Sequence, residues 1–252
     1  MNVDALSTPE KVLWRHGVRA PEHIDLEAIA NHRGARVIYR PLDGCAARLV
    51  ASGDKAVISV DSGSPPGRRA FSLAHELAHW ICDKERGGFR CASEDIGPQN
   101  AEAKSVEAQA NQFASQLVLP DFLVGPRIEG KRVNLDTAKV LSADFGSSVT
   151  AAAIKLVKKS ATPAAVACHG QSGLKWFQKN LSMPFDFYVM KELHHETAAI
   201  KLAFGAGSGM SRPCKEPANR WLSGPETYRL TVESQSVKLP DGTVLTVIAL
   251  CK

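Results

Sequence analysis

The sequence predicts an α+β protein built in two parts, and three observations predict it. Short runs rich in β-branched residues, 36–39 and 56–60, precede two long stretches, 68–82 and 101–118, whose apolar residues recur at helical spacing. After Pro163 the texture changes to strand-like runs separated by Gly- and Pro-containing loops. The charge divides near the same place. Residues 1–150 hold 18 basic and 19 acidic side chains, and residues 151–252 hold 13 and 7, so the whole +5 excess lies in the last two fifths.

Composition narrows the class before any motif is read. With 44% hydrophobic and 23% charged residues, the chain has enough apolar surface to bury a core, which excludes wholesale disorder. No apolar run approaches the roughly 20 residues of a membrane span, so no membrane partner is expected. The N-terminal Met-Asn-Val-Asp-Ala-Leu lacks the basic start and apolar stretch of a secretory signal. The six cysteines form no Cys-x-x-Cys pair, which excludes zinc-ribbon and redox-dithiol motifs and predicts reduced thiols in a cytoplasmic chain.

Along the chain, residues 9–32 read as helical, with Asp25 as a possible cap before Leu26 and Ile29. Turns at 41–44 and 52–54 separate the two strand-like runs, and 61–67 is a loop. Phe71, Ala74, Leu77, Ala78 and Ile81 mark the helix at 68–82, and Pro120 ends the one at 101–118. Residues 135–159 predict a helix in two pieces broken near Gly146. Five strands follow, at 164–168, 174–177, 198–204, 227–233 and 244–250. We therefore divide the chain into 1–125, a helical connector 126–160 and a small α+β domain 161–252.

The sharpest chemical signal is His75-Glu76-Leu77-Ala78-His79. Side chains four apart share a helix face, so both imidazoles can reach one Zn²⁺ at about 2.0–2.1 Å. Glu76 then lies beside the ion's open position, where a carboxylate can accept a proton from water. The bland alternative is two core histidines with a surface glutamate. A third protein ligand is needed. Glu107 offers one, 28 residues past His79, with Asn111 one turn further on to support a histidine. Glu102, near the helix start, is the rival.

Phe71-Ser-Leu-Ala-His-Glu-Leu-Ala-His79, followed by Glu107-Ala-Gln-Ala-Asn-Gln-Phe-Ala-Ser-Gln-Leu-Val-Leu-Pro120, resembles the ImmA/IrrE family of zinc metallopeptidases over about residues 20–160. The resemblance implies a compact gluzincin-like domain in which His75, His79 and Glu107 bind Zn²⁺ and Glu76 is the general base. It implies cleavage of a repressor carrying a helix-turn-helix domain, relieving repression in stress, antiviral or mobile-element operons. It also implies a GAF-like sensory domain at the C-terminal end. The family's usual Leu-Leu-Met-Pro helix end is here Leu117-Val-Leu-Pro120, an apolar exchange without chemical consequence.

Several residues stay open at this stage. Arg90, Arg127 and His169 are candidate donors to the oxyanion of peptide hydrolysis. Cys82 reads as a small buried residue. Cys91, 12 residues past His79, is either a free loop thiol or a fourth metal ligand that would hold the enzyme latent. Lys175-Trp176-Phe177-Gln-Lys179 interleaves cations with aromatics, a pattern suited to single-stranded DNA as effector through Lys175, Trp176 and Lys179. Its alternative is a strand with one aromatic turned inward. His194-His195-Glu196 reads as surface. Two other functions compete: a non-proteolytic DNA-binding regulator with a structural zinc, and an antitoxin-type interaction protein.

Overall fold

The computed structural model describes residues 2–85 and 101–251 and separates into two units. The first comprises residues 1–124 and 143–148, and the second 125–142 and 149–252.

The first unit begins with helix α1 (Thr8–Arg15), a 3₁₀ turn (Pro21–His23) and α2 (Leu26–His32). The single helix expected over 9–32 is therefore three pieces, because Gly17 adopts φ 80° and Pro21 restarts the chain. Asp25 caps α2 through the Ala28 N–H at 2.9 Å. Glu10 is an anchor that patterning did not single out. It is 5% exposed, and its carboxylate accepts from Ser7 at 2.9 Å and from the Phe122 N–H at 3.1 Å.

Strands β1 (Ala35–Arg40), β2 (Ala47–Ser52) and β3 (Lys55–Asp61) form a sheet in the order β1-β3-β2. β1 runs parallel to β3 and β2 antiparallel to it. The middle strand in sequence, β2, was not expected. Helix α3 (Pro66–Glu85) packs on β2 and β3, and α2 packs on β1. α4 (Ala101–Val118) lies against both α3 and α1. At the start of α3, a Cβ on Gly67 would meet Ser148 N at 2.5 Å, so only glycine lets the 147–148 backbone pass there.

The second unit takes in the second half of α5 (Asp121–Ile128), most of α6 (Leu135–Asp144) and all of α7 (Val149–Lys159). Gly146, at φ 59°, makes the expected break before α7. Its sheet is antiparallel, in the order β5-β4-β10-β9-β7. The strands are β4 (Ala164–Gly170), β5 (Gly173–Lys179), β7 (Cys214–Pro217), β9 (Thr231–Lys238) and β10 (Val244–Leu250). A short β6 (Tyr188–Val189) pairs with β8 (Leu222–Ser223). α7 packs on β4 and β5. The other core gathers Ala167, Phe187, Trp221, Val232 and Ile248. Gln235 fixes α6 to the sheet: its Oε1 accepts from Leu135 N at 2.8 Å and Asp136 N at 3.2 Å.

Two strand expectations are corrected. Residues 198–204 form helix α8 (Ala198–Phe204), because the alanines favour a helix and Ala199 and Ala203, four apart, are both buried. The alternation of Ile200, Leu202 and Phe204 had imitated a strand. The expected strand at 227–233 is a 3₁₀ turn (Thr227–Arg229) leading into β9.

His169, on β4, is 1% exposed; its Nε2 lies 3.1 Å from Met190 O, and its Nδ1 has no partner. Burial holds its pKa below the ordinary value. The unfolded imidazole, titrating near 6.5, therefore takes up a proton that the folded one refuses. The stabilisation is complete above about pH 7 and falls as pH drops through about 6.5 toward the lowered folded value, by at most about 1.4 kcal/mol per pH unit. Thermal melts at pH 7.5 and 5.5 are expected to show a lower Tm at the acid value, with part of that slope absent in His169→Gln.

Candidate metal centre

Helix periodicity places His75 and His79 one turn apart on the same side of α3, and the packing of α4 brings Glu107 to them. His75 Nε2 and His79 Nε2 are 3.1 Å apart. Glu107 Oε2 stands 3.2 Å from His75 Nε2, and Oε1 stands 3.3 Å from His79 Nε2. The two ring nitrogens thus face each other, and each carboxylate oxygen stands against one of them. Bonds of about 2.0–2.1 Å at tetrahedral angles put donors about 3.3–3.4 Å apart, so the two ring nitrogens and the carboxylate are spaced to share one small divalent ion. The histidine side chains are 19% and 15% exposed and Glu107 is 45% exposed, so the site is reachable from solvent on the carboxylate side.

The supporting residues act on these donors. Asn111, one turn along α4 from Glu107, hydrogen-bonds the His75 side chain. Burial first, then the neighbouring His79, pushes the His75 pKa down, against the opposing pull of Glu107 and Asn111. A neutral imidazole is the form that ligates a metal. Glu76 is held by the Leu49 N–H of β2, which donates to its carboxylate. Burial pushes the Glu76 pKa up, and the nearby Glu107 carboxylate adds to this, while His79 and the Leu49 amide oppose it. A carboxylate raised in this way is a stronger proton acceptor than an ordinary one. The Leu49 contribution is the one that sequence reasoning missed. The alternating burial of 47–52, with odd positions inward, is the signal that a strand there supplies.

The remaining candidates are dispersed. Cys91 and Arg90 lie outside the described residues. Cys82 is only partly buried, not fully as its place in the helix pattern suggested. Arg127 sits in the last turn of α5, and His169 belongs to the interior of the second unit. Lys175 is exposed on β5 and Trp176 is partly buried. The Lys179 ammonium donates to Pro184, Phe185 and Phe187 carbonyls at 3.0, 2.6 and 2.8 Å, so its charge already organises a loop. His194 and His195 stack at 4.4 Å beside Glu196, but Arg220 pairs with that carboxylate at 2.5 Å. A cavity of about 650 Å³ in the first unit involves Glu22, Asp25, Glu27, Tyr39 and Arg69, and none of the metal-centre residues lines it. There the Tyr39 hydroxyl donates to Glu27 at 2.7 Å, and its pKa is raised to about 12, chiefly by burial and then by Glu27.

Residues 30–157 match the model of the IrrE N-terminal-like domain, Peptidase_M78. That span contains His75, Glu76, His79, Glu107 and Asn111. No curated protein matches the chain. Among solved structures, a Mycobacterium tuberculosis transcriptional regulator is similar with a TM-score of 0.63 at 16% identity, over 95% of this chain and 73% of that one. At that identity the likeness concerns the fold.

Purified protein is expected to hold about one equivalent of divalent metal, measured by plasma mass spectrometry after dialysis. His75→Ala with His79→Ala should remove it. Asn111→Ala should weaken it by about 10–100-fold in a chelator competition, as expected for a group that orients a ligand. Unchanged metal content in the double variant would refute the site.

Proposed function

The chain belongs to the IrrE N-terminal-like peptidase family, and from that premise we propose that it is a zinc-dependent endopeptidase that cleaves a helix-turn-helix transcriptional repressor. The observation that carries this reading is the cluster of His75, His79 and Glu107 with Glu76 held beside it. Two imidazoles and one carboxylate suit Zn²⁺, and a three-ligand set is that of a catalytic rather than a closed structural site.

When bound, the ion supplies a Lewis acid that acidifies water and polarises a peptide carbonyl. Glu76 accepts the proton from the attacking water, its carboxylate aimed by the Leu49 N–H, and returns that proton to the leaving amine. Asn111 fixes the His75 ring so that its lone pair stays on the shared centre.

In this reading, residues 1–125 carry the peptidase, 126–160 connect, and 161–252 form a GAF-like domain that senses the trigger. The +6 charge of residues 151–252 supports a polyanion such as single-stranded DNA. With Lys179 committed to its loop, Lys175 and Trp176 are the stronger part of that contact. Cleavage of a transcription regulator assigns the activity to the cytoplasm, in a stress or antiviral operon. The second reading, a non-proteolytic DNA-binding regulator with a structural zinc, draws on the name of the structural neighbour. Glu76 weighs against it, since a structural site has no use for a proton acceptor.

Incubation with the helix-turn-helix regulator encoded beside it is expected to give zinc-dependent cleavage that a chelator abolishes. Glu76→Gln should lower the rate by about 10²-fold or more while the metal stays bound. Cleavage by the variant at the wild-type rate would overturn the assignment. Operator binding that is unchanged in the variant, without cleavage by either protein, would favour the second reading.

A further inference from the structure

The sheet of the first unit has a second face. Helices α2 and α3 cover the side that carries Ala35, Val37 and Tyr39 on β1, Ala56, Ile58 and Val60 on β3, and Ala47, Leu49 and Ala51 on β2. The intervening residues point the other way, since side chains alternate along a strand. Read across the sheet, that outer face runs Arg36–Val57–Val50 in one row and Ile38–Ser59–Arg48 in the next, where Ser59 is buried and Ile38 partly so, with Arg40 beside Asp61 at the end.

The face is both apolar and cationic. Val50 is 57% and Val57 37% exposed. Arg36, Arg40 and Arg48 are exposed, and among the described residues none of these guanidiniums makes an ion pair. Lys55 stands exposed at the near end. The one carboxylate in the rows, Asp61, is spent on its own turn, accepting from Gly63 N at 3.2 Å and Ser64 Oγ at 2.8 Å. A first unit with no overall positive charge thus places these arginines beside exposed valines.

We propose that this outer sheet face docks an acidic, apolar segment of the protein substrate. The charge calls for carboxylates. The valines call for side chains that gain by leaving water, which a phosphate backbone does not offer. The rows contain no aromatic side chain on which a nucleic-acid base would stack. Three strands of six or seven residues span roughly 20 Å by 14 Å, too small for a stable domain interface but enough for one extended segment. Strand β2 is an edge of the sheet, and its backbone reaches Glu76. Arg48 and Val50 of β2 point to the docking face, while Leu49 between them donates its N–H to Glu76. A segment held on the outer face is therefore tethered one strand away from the proton-transferring carboxylate. Only the word substrate rests on the peptidase reading; the binding itself does not.

The test uses the full chain and a fluorescein-labelled acidic peptide, with Glu at alternate positions and Leu or Ser between, followed by fluorescence anisotropy. Wild-type protein is expected to bind it, more weakly as salt rises. Arg36→Glu with Arg40→Glu and Arg48→Glu should weaken binding about tenfold or more and should instead bind the matching Lys peptide. Val50→Ser with Val57→Ser should also weaken the acidic peptide, with metal content and circular dichroism unchanged in both variants. No binding by wild type, or binding by the arginine variant within about twofold of wild type, would overturn the proposal. Duplex DNA that binds through the arginines and is indifferent to the valine substitutions would overturn it in favour of nucleic acid. A failed Glu76→Gln test leaves all these outcomes readable, since none depends on cleavage.

Discussion

The candidate metal centre depends on two helices lying side by side. α3 supplies a pair of imidazoles by its own periodicity, but a pair is not a metal site. The third candidate ligand arrives only because α4 packs close enough for both oxygens of a single carboxylate to reach within 3.3 Å of the two rings. Both helices bury alanines at four-residue spacing, Ala74 and Ala78 on α3 and Ala110 and Ala114 on α4, and small side chains permit close helix approach. The dependence also runs back from site to fold. Three donors crowded together repel or compete unless a cation lies between them. A ligand at 100 times its Kd adds about 2.7 kcal/mol to the folded state.

The parts of this arrangement that were legible in the sequence share one property: they are local. His75 and His79 are readable because four residues is one helical turn, and Asn111 is readable from Glu107 for the same reason. Glu107 itself was legible only through a second motif 28 residues on, since no periodicity links the two helices. The grip of Leu49 on Glu76 was invisible because it depends on β2, a strand whose short, half-polar alternation did not stand out among turns. The residues 198–204 failed for the opposite reason, with alternating large apolar residues masking the buried alanines that set the helix.

Charge was legible as a sum and not as a pattern. The count correctly separates a neutral first part from a basic second part, but it does not say which cations are available. Lys179, in the most suggestive cation–aromatic run, is enclosed by three carbonyls from a loop that only the tertiary fold brings round. Arg36, Arg40 and Arg48, unremarkable in sequence, are aligned by strand pairing on one side of a sheet. Net charge averages over faces that a partner meets one at a time.

The contact between Gln235 and α6 restricts what substitutions this lineage can accept. The side chain is 1% exposed and both ends of its amide are used: the oxygen takes two helix N–H groups, and the nitrogen donates to Ser211 O at 3.0 Å. Glutamate keeps the shape but exchanges a donor for a buried charge, and asparagine is one methylene short of the helix. Both α6 contacts are to backbone N–H groups, which any residue but proline supplies, so this contact restricts position 235 itself and leaves the side chains at the start of α6, about a hundred residues away in the chain, free to vary.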